Sequence, residues 1–159
     1  MLEQLDELYR EVILEHFKRS RHAGEIPDAD IHATGANPLC GDEVVFDMKV
    51  DHGRMQQVRF NGKGCAISQA SSSMLAGQLE GKTIAETARL IKAMKTLIQG
   101  GEPDPSVDLG YLEALAGVRK FPVRVKCAAL SWNVVEQGLH DYSIQHTAHS
   151  TQEGPQERP

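Results

Sequence analysis

The chain has 159 residues, 40% apolar and 25% charged, with 17 basic against 22 acidic side chains and a formal charge of −5. That is enough chain for one domain to bury a core without staples, and the acidic balance leaves no basic footprint for nucleic acid. No apolar run approaches the ~20 residues that span a bilayer, and the start "MLEQLDELYR" carries acids where a signal peptide needs a basic segment, so the expected setting is the reducing cytoplasm.

Residues 2–19 place Leu2, Leu5, Leu8, Tyr9, Val12, Ile13, His16 and Phe17 at helical spacing, an amphipathic helix with one face for a core. "RSRHAGEIPDADIHATGANP" reads as an irregular approach, punctuated by Gly24, Pro27, Gly35 and Pro38. "EVVFDMKV" and "MQQVRFNG" alternate partially and are joined by "DHGR", which predicts a β-hairpin turning at Gly53. "AISQASSSMLAGQLEG" keeps helical spacing through Ile67, Ala70, Met74 and Leu75, although three consecutive serines weaken its propensity.

Thr83 and Glu86 form a capping box ahead of Ile84, Ala88, Ile91, Met94 and Ile98 on one helical face. "QGGEPDPSVDLG" is a loop, and "YLEALAGV" a short helix. Pro122 suits the first turn of a last helix with Val125, Ala128, Ala129, Trp132 and Val135 as its apolar stripe. Residues 143–159 lack periodicity and read as a disordered tail behind a domain of residues 1–142. The pattern is α+β: a small antiparallel β-sheet packed against several helices.

Three cysteines, an odd number, fit a disulfide framework badly and favour metal or thiol chemistry. Cys40, Cys65 and Cys127 include no CxxC pair. Cys40 therefore has three possible roles: buried hydrophobe, redox thiol, or metal ligand beside Asp42. Gly41 lets a tight bend present both side chains to one centre. Cys65 follows Gly64 at a helix start, and Cys127 lies early in the last helix. Helix N-termini favour thiolate, the form that binds metal. Free cysteines often simply fill core, yet three of them flanked by glycine or cations, with an aspartate adjacent, point to a shared metal. Three thiolates and a carboxylate around Zn²⁺ carry net negative charge, so cations are expected nearby, and Arg124, Lys63 and Lys126 are close in sequence. His16 and His22 read as surface residues, His146 and His149 fall in the polar tail, and the Ser71–Ser73 run lacks a G-x-S-x-G elbow.

Taken together, "LYREVILEHFKRSRHAGEI", "NPLCGDEV", "FNGKGCAISQASSSML" and "GVRKFPVRVKCAALSW" resemble the SufU branch of the IscU/NifU N-terminal family over roughly residues 5–140. The resemblance implies that Cys40, Asp42, Cys65 and Cys127 bind zinc or hold a nascent iron–sulfur cluster. Scaffold members carry histidine before the third cysteine, where this chain has Lys126, and a Leu-Pro-Pro-Val-Lys motif, where it reads "KFPVRVK". Its "QGGEPDPSVDLGYLEAL" insertion is also longer than theirs. These departures resemble the SufU branch, which implies a zinc-dependent sulfur acceptor for a PLP-dependent cysteine desulfurase of the SufS type, serving downstream cluster-assembly proteins. Cys40 is then the implied acceptor and Arg124 the arginine beside it. The alternative is an IscU-like scaffold for a nascent iron–sulfur cluster.

Overall fold

The computed structural model describes residues 11, 15, 22–38 and 41–153, without the side chains of Tyr111 and residues 146–153. The helix expected over 2–19 lies outside these, save Glu11 and Glu15, which are helical. Three strands form one antiparallel sheet in the order β1 (Ile31–Asn37), β2 (Asp42–Asp51), β3 (Arg54–Lys63). The hairpin expected from the alternating runs is β2–β3. His52 and Gly53 both take positive φ, 52° and 75°, which matches the right-handed twist of the strands they join.

β1 corrects the sequence reading, which left residues 31–37 irregular. Its alternation is real but built from small residues: Ile31, Ala33 and Asn37 are buried, while His32, Thr34 and Ala36 are exposed. The smallness has a cause. A Cβ on Gly35 would lie 2.5 Å from Val134 Cγ2, and one on Gly138 would lie 2.9 Å from Ile31 Cγ2. The last helix thus lies on β1 at a distance only glycine permits.

The core fills the inner face of the sheet, where Phe46 stands opposite Phe60 with ring centroids 6.1 Å apart and Met48 opposite Val58. Over it lie helices α1 (Ala66–Leu79), α2 (Ile84–Ile98) and α3 (Pro122–Glu153), which bury Leu75, Leu90, Met94 and Trp132. The expected capping box starts α2: Glu86 N–H donates to Thr83 Oγ1 at 3.0 Å, and Thr83 N–H to Glu86 Oε1 at 2.8 Å.

The stretch expected as a short helix is a 3₁₀ segment, Gly110–Lys120. It buries Leu112, Leu115 and Val118 at every third residue, the period of that helix. α3 continues to Glu153, past residue 143 where a disordered tail was expected. Propagating a helix from turns already packed at Val134, Val135 and Leu139 carries no nucleation cost, so polar residues can extend it without an apolar stripe. Among the described residues, no helix is long and apolar enough to cross a membrane.

Candidate metal centre

The β1–β2 ladder closes with Asn37 opposite Asp42, so Asp42 is the first residue of β2. β3 then delivers the chain through Gly64 to Cys65, the N-cap of α1. α3 brings Cys127 in from the other side, in its second turn. Two buried serine contacts fix α1 against α3. Ser71 Oγ donates to Ala128 O at 2.7 Å and lies 3.1 Å from Ser131 Oγ. The serine run that lowers helix propensity therefore joins the two helices that carry the cysteines. Ser72 satisfies its own hydroxyl by donating to Ser68 O at 2.9 Å.

The result is a cluster in which one donor atom each from Asp42, Cys65 and Cys127 lies within 4.8 Å of the others. Asp42 and Cys127 are fully buried and Cys65 is half-buried. Cys65 N–H donates to Asp42 Oδ1 at 2.9 Å, which aims the carboxylate. The other oxygen, Oδ2, is buried and has no hydrogen-bond partner among the described residues. An unsatisfied carboxylate oxygen is costly in a core, and a carboxylate grouped with two thiols can offer an oxygen to a cation. Two sulfurs and an oxygen also suit zinc, whose tetrahedron with ~2.3 Å Zn–S bonds has edges of about 3.8 Å. The donor set fits the metal that the sequence implied.

Charge around the site follows the same logic. Cys65 and Cys127, by charge and by hydrogen bonding, hold the Arg124 guanidinium above its ordinary pKa. The first turn of α1 contains no acidic residue, and the backbone N–H groups of a helix start favour anionic sulfur. Of the other cations expected nearby, Lys63 pairs instead with Glu43 at 3.7 Å, both exposed, and Lys126 is exposed. Cys40 lies outside the described residues. His22, expected on the surface, is half-buried with Nε2 3.2 Å from Glu80 Oε1.

Two further residues shape this site: Gly64, already noted ahead of Cys65, and Ser68, which the sequence reading passed over. A Cβ on Gly64 (φ +154°) would lie 2.3 Å from Asp42 Oδ1 and 2.6 Å from Ser68 Oγ. Only glycine lets the aspartate come this close. Ser68 Oγ in turn donates to Cys65 O at 3.2 Å and steadies the turn. The signal for Gly64 was present in "GKGC"; Ser68 had none beyond its place three residues after a cysteine.

Comparison with known proteins agrees with this geometry. The family described as "NifU-like N terminal domain" matches residues 8–128. The "Zinc-dependent sulfurtransferase SufU" of Bacillus subtilis is 44% identical over 135 residues, 85% of this chain and 91% of that protein. The "Iron-sulfur cluster assembly scaffold protein IscU" of Streptococcus pyogenes is 37% identical over 138 residues, 87% of this chain and 86% of that one. Among solved structures, a putative iron–sulfur cluster assembly scaffold protein for the SUF system from Fervidobacterium islandicum superposes with a TM-score of 0.79 at 36% identity, over 84% of this chain and 97% of its own.

Proposed function

We propose, from the premise that this chain belongs to the NifU-like N-terminal domain family, that it is an iron–sulfur cluster assembly protein accepting sulfur in a zinc-dependent manner. The observation that carries the reading is the convergence of Asp42, Cys65 and Cys127, with one buried Asp42 oxygen that has no partner among the described residues. These three residues would hold zinc and Cys40 would be the fourth donor. Chain connectivity keeps its Cα within about 7 Å of that of Asp42. When bound, zinc keeps thiolates deprotonated at neutral pH.

The donor of sulfur is a cysteine desulfurase, which carries a persulfide on its own cysteine; the SufS type is the finer assignment. The Cys40 thiolate attacks the outer sulfur, a new S–S bond forms on Cys40, and the desulfurase cysteine leaves as thiolate. Cys65 and Cys127 stay behind as buried or half-buried anchors, and the Arg124 cation offsets the negative charge of the site. The scaffold alternative rests on the IscU relatives, but Lys126 stands before the third cysteine in place of histidine. Cys40→Ala tests the assignment: it is expected to abolish stimulation of the desulfurase while much of the zinc remains bound. Normal stimulation by that variant would show that another residue accepts the sulfur.

A further inference from the structure

We propose that the first turn of α3 is a docking rim for the desulfurase, with Phe121 and Val123 as apolar anchors inside a cationic border that meets an acidic partner surface. The proposal rests on the sulfur-acceptor reading and names where the partner sits.

Three large apolar side chains are exposed among the described residues: Phe121 at 52%, Val123 at 72% and Ile144 at 54%. The first two bracket Pro122 and immediately precede Arg124, which lies against Cys65 and Cys127. Two of the three exposed apolar side chains thus fall beside the arginine of the metal centre, where sulfur must arrive. Its backbone is fixed: Phe121 N–H donates to Val118 O at 2.8 Å, and Phe121 O accepts from Arg124 and Val125 at 2.7 and 3.2 Å. An exposed aromatic on a fixed backbone beside a functional centre is the kind of residue that anchors a partner.

The charge pattern selects that partner. Residues 114–135 contain Arg119, Lys120, Arg124 and Lys126 and no acid, in a chain of net charge −5. Arg119 is held in place by donating to Ala116 O at 3.2 Å and Leu97 O at 3.3 Å. A second copy of this chain would bring the same cations against themselves, an isologous arrangement that costs energy. An acidic face around the partner's persulfide is complementary.

The test uses the zinc-loaded full-length chain and its PLP-dependent cysteine desulfurase. Dissociation constants are measured over a salt series, alongside zinc content and far-UV circular dichroism. Phe121→Ser is expected to weaken binding by about tenfold or more, with zinc content and circular dichroism unchanged. Val123→Ser, at a more exposed position that does not threaten folding, weakens it by about threefold. Lys126→Glu weakens binding at low salt and flattens its salt dependence. If wild type binds and the serine variants bind equally well, the docking rim is wrong while the sulfur-acceptor reading stands. If wild type neither binds nor stimulates the desulfurase, both fall. Phe121-dependent dimers, or binding to phosphatidylserine vesicles in place of the desulfurase, would likewise overturn the proposal.

Discussion

Gly64→Ala strikes the metal centre through the backbone. The added Cβ would meet Asp42 Oδ1 at 2.3 Å and Ser68 Oγ at 2.6 Å, inside the 3.0 Å that real Cβ atoms respect. Ser68 can rotate its hydroxyl; Asp42 cannot yield without breaking the bond from Cys65 N–H and withdrawing Oδ2 from the thiols. A hydrogen bond to a charged group contributes about 1.5–3 kcal/mol, and alanine at φ +154° adds strain of about 1–3 kcal/mol. The combined loss is roughly 2.5–6 kcal/mol, shared between the metal-free fold and metal affinity. Gly41→Ala is the matched comparison. Its φ is +71°, but no described residue beyond its chain neighbours lies within 4 Å of the new Cβ, so the left-handed backbone cost of about 1–2 kcal/mol is the one that applies. Urea unfolding of the chelator-treated chain and a competition titration for zinc separate the two effects. Gly64→Ala is expected to bind zinc at least about tenfold more weakly than Gly41→Ala, a difference of about 1.4 kcal/mol. Equal zinc affinity in the two variants would refute the claim that Gly64 exists to admit Asp42.

Removing zinc with a chelator should lower the melting temperature of the wild-type chain, because the proposed ligands come from β2 and the starts of α1 and α3; free zinc at a thousandfold excess over its Kd stabilises by about 4 kcal/mol. An unchanged melting temperature in a scanning calorimeter would argue against a bound metal. Glu80 supports a second, metal-independent test. Burial alone would raise its carboxyl, but hydrogen bonds from Val58 N–H and the His22 and Arg59 side chains outweigh this and hold it below its ordinary value of 4.5. Its contribution is therefore full above pH 4.5 and is lost as pH falls through the depressed pKa. Glu80→Gln should cost about 1–2 kcal/mol at pH 7 and flatten the acid limb of a stability–pH curve; an acid limb as steep as wild type would show that Glu80 does not set it.

The hairpin, the capping box and the positions of Cys65 and Cys127 at helix starts were legible because each depends on local chemistry. Alternation, a Thr–Glu pair three apart, and Pro122 act within a few residues of themselves. β1 was illegible for the opposite reason: its Gly35 and Ala33 answer to Val134 and Gly138, about a hundred residues away. The 3₁₀ segment showed its period of three in Leu112, Leu115 and Val118, which a reading tuned to 3.6 blurred into a short helix. Ser71–Ser73 looked like a helix weakness, and only the position of Ala128 and Ser131 shows what Ser71 does. The convergence of Asp42, Cys65 and Cys127 was anticipated from residue types and resemblance. What could not be anticipated is how the carboxylate is aimed: one oxygen held by a backbone N–H, the other without a partner among the described residues.

The central claim is a division of labour, in which Asp42, Cys65 and Cys127 hold the metal and Cys40 takes the sulfur. Peptide mass spectrometry, after incubation of the zinc-loaded chain with desulfurase and free cysteine, tests it most directly. One added sulfur atom is expected on the peptide containing Cys40 and none on those containing Cys65 or Cys127. Added sulfur on Cys65 or Cys127 with Cys40 unmodified would contradict it.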